Sequence, residues 1–220
     1  MLTAIIQPNY IPWRGHFDFF KKVDTFVFYD DVQYTKRDWR NRNTIKTPDG
    51  GQLLTVPVDA DRDTLICDAK IVDNGWKQRH LDLISQNYKN APYFGDAYGI
   101  MCESFDEIHE DIGSLTISIT QKILDYFGIN CRIYRSSELG FEDLHKTDRL
   151  VAICKKVGAT EYISGMAAKD YLKPEKFGDI RVLWQRYNEK VYPQLWGDFM
   201  SRVSIIDLIA NCGIKGYEII

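Results

Sequence analysis

Two short apolar runs, Thr3 to Ile6 and Thr25 to Tyr29, open the chain with a polar loop and a helical pattern between them. Such brief, continuously apolar runs suit strands buried on both faces. Pro8 to Gly15 holds two prolines and a glycine, and Phe17, Phe19 and Phe20 then favour a short helix over His16 to Lys22. A strand, a loop, a helix and a strand in that order build a parallel sheet, because parallel neighbours need a crossover.

The rest of the chain continues this rhythm. Pro48-Asp49-Gly50-Gly51 separates Thr44 to Lys46 from Leu53 to Val58 and predicts a small β-hairpin insertion. Ile66 to Val72 alternates partly and is a third candidate strand. Helices are expected over Trp76 to Tyr88, Tyr93 to His109 and Ser114 to Phe127, the last closed by Gly128. A second strand–helix series follows. Its strands are Cys131 to Tyr134, Tyr162-Ile163 and Ile180 to Trp184. Its helices are Thr147 to Val157, with Thr147 as N-cap, and Ser204 to Asn211, opened by a Ser204-x-x-Asp207 capping arrangement. No repeat or linker divides residues 1–220, so one α/β domain is expected.

Composition narrows the class. The net charge is −3, and no basic face of the kind nucleic acid requires is evident. The five cysteines are widely spaced and form no C-x-x-C, which suggests reduced, buried thiols rather than zinc or redox chemistry. Met1 to Gln7 is too short for a signal peptide or a membrane span, so a soluble cytoplasmic protein is expected. His109-Glu110-Asp111 lacks a partner at ligand spacing and reads as a solvated helix face; no metal site and no particular cofactor is indicated.

Two clusters carry the candidate chemistry. The first is Gln7-Pro8-Asn9-Tyr10-Ile11-Pro12-Trp13-Arg14-Gly15-His16, which follows a strand and opens a helix. Parallel sheets bind ligands at that edge, and a helix N-terminus offers N–H donors to phosphate. The second is Tyr29 to Asn43. Asp30 and Asp31 follow a strand and are candidate bases or sugar ligands. A solvated acid pair in a turn is the competing reading. Lys36, Arg37 and Arg42 are candidate phosphate contacts, Asn41 and Asn43 candidate orienting amides, and Trp39 a candidate stacking surface. Gln7, Asn9, His16, Asp30 and Ser164 are expected to converge on one cleft. Tyr187, Tyr192, Gln194 and Trp196 form an aromatic-polar loop after the last strand that would either lid that edge or pack there.

The Gly15-His16 pair is loosely similar to the H-x-G-H loop of nucleotidylyltransferases, although Trp13 stands where the first histidine would be. Ser164-Gly165 falls where that superfamily carries a late phosphate-binding serine. The implied fold is a Rossmann-like parallel sheet, loosely nucleotidylyltransferase-like. The runs Q-P-N-Y-I-P-W-R-G-H-F, Y-D-D-V-Q-Y-T-K-R-D-W-R-N-R-N and L-T-V-P-V resemble the WbqC-like family. So do W-K-Q-R-H with Tyr88, A-P-Y-F, Y-I-S-G, Tyr192 with Gln194, and the final S-I-I-D-L-I-A-N-C-G. That resemblance implies a role in O-antigen or related surface-polysaccharide biosynthesis. It further implies transfer of an acyl or aminoacyl group to the amine of a nucleotide-linked amino sugar. On that reading His16, Asp30 and Asp31 are the catalytic candidates. Gln7, Asn9, Tyr10, Lys36, Arg37, Trp39, Asn41, Arg42, Asn43, Ser164, Gly165, Tyr192 and Gln194 are the candidates for substrate binding. Nucleotidyl transfer through the His16 loop and non-catalytic sugar-nucleotide binding are the alternatives.

Overall fold

The computed structural model describes residues 1–220. Five strands pair in parallel: β1 (Leu2–Ile6), β2 (Thr25–Phe28), β7 (Arg132–Arg135), β8 (Glu161–Ser164) and β9 (Arg181–Trp184). Their spatial order is β7-β2-β1-β8-β9. The chain walks from β1 outward to β2 and β7, returns to the other side of β1 for β8, and ends at β9. Connections therefore diverge between β1 and β8, the place where α/β sheets open a crevice at the carboxyl edge.

The apolar runs explain the sheet. Residues alternate between its faces, as the strand pleat requires. Ala4 of β1, Phe26 and Phe28 of β2 and Ile163 of β8 enter a large core with α1 (Arg14–Lys22), α2 (Trp76–Tyr88), α3 (Phe94–Asp106), α4 (Ile112–Phe127) and α6 (Ile205–Cys212). Ile5, Val27 and Tyr162 enter a smaller core on the opposite face under α5 (Lys146–Lys156). Phe20 of α1 stacks on Phe26 with ring centroids 3.8 Å apart, fixing the first crossover helix to the sheet.

The hairpin of β3 (Arg42–Thr47) and β4 (Gly50–Thr55) forms where the Pro-Asp-Gly-Gly turn predicts it. The third candidate strand does not form as expected. Ile66–Asp68 is a 3-10 turn, and only Lys70–Ile71 (β6) pairs, antiparallel to Val58–Asp59 (β5). The expected helix to His109 stops at Asp106, and α4 begins at Ile112 with Asp111 as N-cap accepting from Ser114 N at 2.7 Å. His109 therefore lies in a connection, beside Glu107 at 3.2 Å, rather than on a helix face.

Two expected caps also differ. His145, not Thr147, precedes α5, and Thr147 Oγ1 instead accepts from Lys173 N. Ser204 caps α6 through Ile206 N, but Asp207 does not complete a capping box. Its carboxylate is drawn into side-chain bonds elsewhere. No helix is long and apolar enough to cross a membrane.

Candidate functional site

Every strand of the main sheet ends in polar residues at one edge: Gln7 after β1, Asp30 and Asp31 after β2, Ser136 and Ser137 after β7, Ser164 closing β8, and Gln185 after β9. Which of these are free to meet a ligand depends on the bonds they already make.

Asp30 and Asp31 are not free. Asp30 is fully buried and accepts from Arg135 Nε at 2.7 Å, Ser137 N at 3.0 Å, Ser137 Oγ at 2.9 Å and Ser136 Oγ at 3.2 Å. Asp31 accepts from Ser136 Oγ and Arg149 Nη2, and Arg149 Nη1 reaches its carbonyl at 3.1 Å. The pair ties β2 to the end of β7 and to α5. A general base needs a lone pair facing substrate, and these lone pairs face arginine, serine and backbone. The pair is a buried, bonded network and not a solvated turn.

His16 is also buried, 4% exposed, with its ring between Phe20 and Phe26. Burial, aided by the nearby Arg40 charge, lowers its pKa to about 3. Burial therefore disfavours the imidazolium, and the ring is held as a neutral imidazole among these aromatics. Its Nε2 nonetheless has no hydrogen-bond partner. Tyr10 is wholly buried, with its hydroxyl 2.7 Å from His80 Nδ1, and belongs to the core rather than to substrate.

The basic stretch disperses. Lys36 and Arg37 are exposed on a loop, Arg37 at φ +60°, and Lys36 lines an open hollow with Gln33 and Asp61. Arg42 is half-buried at the start of β3 with Nε unpartnered. Asn41 and Asn43 are buried. Asn41 Nδ2 donates to Val56 O at 2.7 Å, and Asn43 Nδ2 donates to Tyr10 O and Ile11 O at 3.1 and 3.0 Å. These amides hold the hairpin against the first loop. Arg40 donates to Asn9 Oδ1 and to Asp38.

Tyr192 and Gln194 are likewise internal. The Asp207 carboxylate accepts from Tyr88 Oη, Tyr192 Oη and Gln194 Nε2, each at 2.8 Å. Burial raises the Asp207 pKa, against those three donors. The aromatic-polar loop after β9 is thus stapled to α2 and α6. It packs and does not lid the sheet edge. Asp207 sits fully buried at the centre of that staple and was legible beforehand only as a helix cap.

What remains open is a cleft of about 310 Å³ over β1 and β8, on the α5 side. Gln7 and Ser164 line it, joined by Tyr29, Tyr162, Lys146 and Tyr171. The β1–β8 register pairs Ala4 with Ile163, which brings Ser164 alongside Ile5 and close to Gln7. Tyr162 Oη donates to Ser164 Oγ at 3.3 Å, and burial raises the pKa of both Tyr29 and Tyr162, keeping them as neutral hydroxyls. Gly165 leaves the rim open, since a Cβ there would meet no atom within 4 Å. Lys146 starts α5 at φ +51° and lines one end of the cleft, and no side chain caps that helix. A lysine at a helix start carries no recognisable sequence signal, and the sequence reading missed it together with Tyr29, Tyr162 and Tyr171.

Asn9 and Trp39 meet in a second, neighbouring pocket of about 270 Å³, with Pro12, Trp13, Asn43 and Arg202. Of the five residues expected to converge, Gln7 and Ser164 share the cleft, Asn9 turns to this pocket, and His16 and Asp30 are buried beneath.

The chain belongs to the WbqC-like protein family, which matches residues 7–219. It is 41% identical over 224 residues to a Mycobacterium tuberculosis protein named "Uncharacterized protein Rv1507c", covering 97% of this chain and 94% of that relative. No solved structure matches it.

Proposed function

We propose that this member of the WbqC-like family binds a nucleotide-linked amino sugar across the β1–β8 cleft. There it transfers an acyl or aminoacyl group to the sugar's amine in surface-polysaccharide biosynthesis. The carrying observation is the cleft itself: Gln7, Ser164 and Lys146 converge, unsaturated, where the sheet connections diverge. Helix N-termini with an adjacent ammonium suit phosphate, and Gln7 and Ser164 suit hydroxyls or phosphate oxygens. In the reaction the amine nitrogen bonds to the acyl carbon, the donor's leaving group departs, and the nitrogen gives up a proton. The cleft residues contribute chiefly by holding the two reactants together. The chain would work as one α/β domain in the cytoplasm, with an acyl or aminoacyl donor as second substrate.

One observation favours nucleotidyl transfer as the second reading: His16 stands on the first turn of α1 with Nε2 unpartnered. Calorimetric titration with nucleotide-linked amino sugars and with nucleoside triphosphates separates the two. Selective binding of the sugars, followed by mass-spectrometric detection of an N-acylated product when acyl-thioesters, acyl-adenylates or aminoacyl-tRNA are supplied, supports the first. Selective triphosphate binding with release of diphosphate overturns it for the second.

A further inference from the structure

The pocket formed by Asn9, Pro12, Trp13, Trp39, Asn43 and Arg202 is built more firmly than a surface hollow needs to be. Three segments make its walls, and backbone bonds lock them together. Tyr10 N donates to Trp39 O at 2.9 Å, Ser204 N to Thr44 O at 2.8 Å, and Ile205 N to Pro12 O at 2.9 Å. Trp13 pairs with Ser204 in an isolated bridge.

Both indoles are placed rather than loose. Trp13 rests edge-on to Tyr187, with centroids 5.2 Å apart, and over Gly15, where any Cβ would collide with its ring. Trp39 is anchored by its backbone yet leaves 50% of its surface open. Arg202 sits at φ +57°, a conformation that disfavours any residue with a Cβ, and its guanidinium makes no hydrogen bond or ion pair within the chain. Backbone held in that region at a pocket wall is a common mark of a binding site.

We infer that this pocket is a saccharide subsite, in which Trp13 and Trp39 flank the pyranose ring of a hexosamine and Arg202 and the Asn9 amide donate to its oxygens. Two observations select a sugar ring. The volume, about 270 Å³, is enough for one sugar ring and lies just below the usual range of about 300–1,000 Å³ for whole small-molecule ligands. The free polar groups are nearly all donors: two indole N–H groups, a guanidinium and the Asn9 amide nitrogen. Asn9 Oδ1 already accepts from Arg40, and Asn43 Oδ1 from Thr44 N at 2.8 Å. A nucleobase bearing exocyclic amines would find few acceptors, whereas sugar hydroxyls accept as well as donate.

The inference rests on the nucleotide-sugar reading of the β1–β8 cleft and names where the sugar lies. Gln7 lines the cleft and Asn9 the pocket, two residues apart on one loop. Two residues of chain span at most about 7 Å, so this loop carries both lining residues within a short stretch.

The test compares hexosamines linked to UDP, dTDP and GDP with the bare nucleoside diphosphates, by calorimetry. The wild type should bind at least one nucleotide sugar more tightly than its bare diphosphate. Trp39→Ala should weaken that nucleotide sugar roughly ten- to thirtyfold, the cost of truncating a central aromatic anchor, and leave the diphosphate unchanged. Trp39→Phe should restore most of the loss. Arg202→Gly, which suits the local backbone, should weaken the sugar without lowering the melting temperature. Equal weakening of both ligands by Trp39→Ala would put the base in the pocket and overturn the inference. So would binding that Trp39→Ala leaves untouched; in either case the cleft reading stands. If no nucleotide or nucleotide sugar binds the wild type, the cleft reading falls and the subsite with it.

Discussion

Asp30-Asp31 after β2 and Gln7 with Ser164 at β1 and β8 lie at the same edge of the same sheet, yet their side chains stand in opposite states of hydrogen bonding. Every oxygen of the acid pair is occupied by arginine, serine or backbone, so the pair holds β2, β7 and α5 in place. Gln7 and Ser164 face open space, and Ser164's one side-chain partner is the weakly held Tyr162 hydroxyl at 3.3 Å. Position at the carboxyl edge therefore does not by itself mark a ligand group. Hydrogen-bond saturation separates the two pairs, because a buried polar group that has already recovered its desolvation cost has little left to offer a ligand.

The hardest blow to this contrast is removal of Asp31. The Asp31–Arg149 pair is buried on both sides, and taking away one partner strands the other charge. Asp31→Ala should cost about 3–5 kcal/mol of stability, the usual result of breaking a buried pair. A melt within a few degrees of wild type would return the acid pair to the list of ligand groups.

Next in size is an acid limb set by His16. Its folded pKa, about 3, lies below the ordinary 6.5 because of burial. The unfolded chain then takes up a proton that the folded chain refuses. Stability is intact above pH 6.5 and falls as the pH drops from there toward 3, by up to about 1.4 kcal/mol per pH unit for one such group. His80, lowered to about 4 by burial, adds to the same limb. Denaturant melts of His16→Gln should show a shallower decline below pH 6.5; an unchanged decline would mean His16 protonates without penalty in the fold.

Smaller again is the staple around Asp207. Tyr192→Phe removes one of three donors to a buried carboxylate. It should cost about 1–3 kcal/mol and leave ligand affinity unchanged, since neither pocket includes this residue. A selective loss of affinity would restore the loop after β9 as part of the site. The smallest effect belongs to Arg37, exposed at φ +60°. Arg37→Gly should change stability by less than about 0.5 kcal/mol, or raise it slightly, with binding intact.

These contrasts show how far the sequence could be read. The strands around Gln7 and Ser164, their parallel pairing and the hairpin were legible, because strand periodicity and turn chemistry are local. Partner identity was not. Asp30 meets Arg135 and Ser137 across more than a hundred residues, and nothing local to Tyr29-Asp30-Asp31-Val32 announces that. Asp207 looked like a capping residue because its hydrogen-bond partners, Tyr88 and Tyr192, lie on other elements. Lys146 and Arg202 reach their pockets through left-handed backbone, which no residue type there foretells. Ile66 to Val72 misled because its alternation serves a turn and a two-residue strand docked against the connection before α4.

The most direct test of the account is calorimetric titration of a nucleotide-linked amino sugar into Gln7→Ala and Asp30→Asn. Gln7→Ala should weaken binding at least about tenfold with an unchanged melting temperature. Asp30→Asn should melt far lower, while the fraction that stays folded binds at wild-type affinity. Full affinity in Gln7→Ala together with lost affinity in a well-folded Asp30→Asn would contradict the assignment of the cleft.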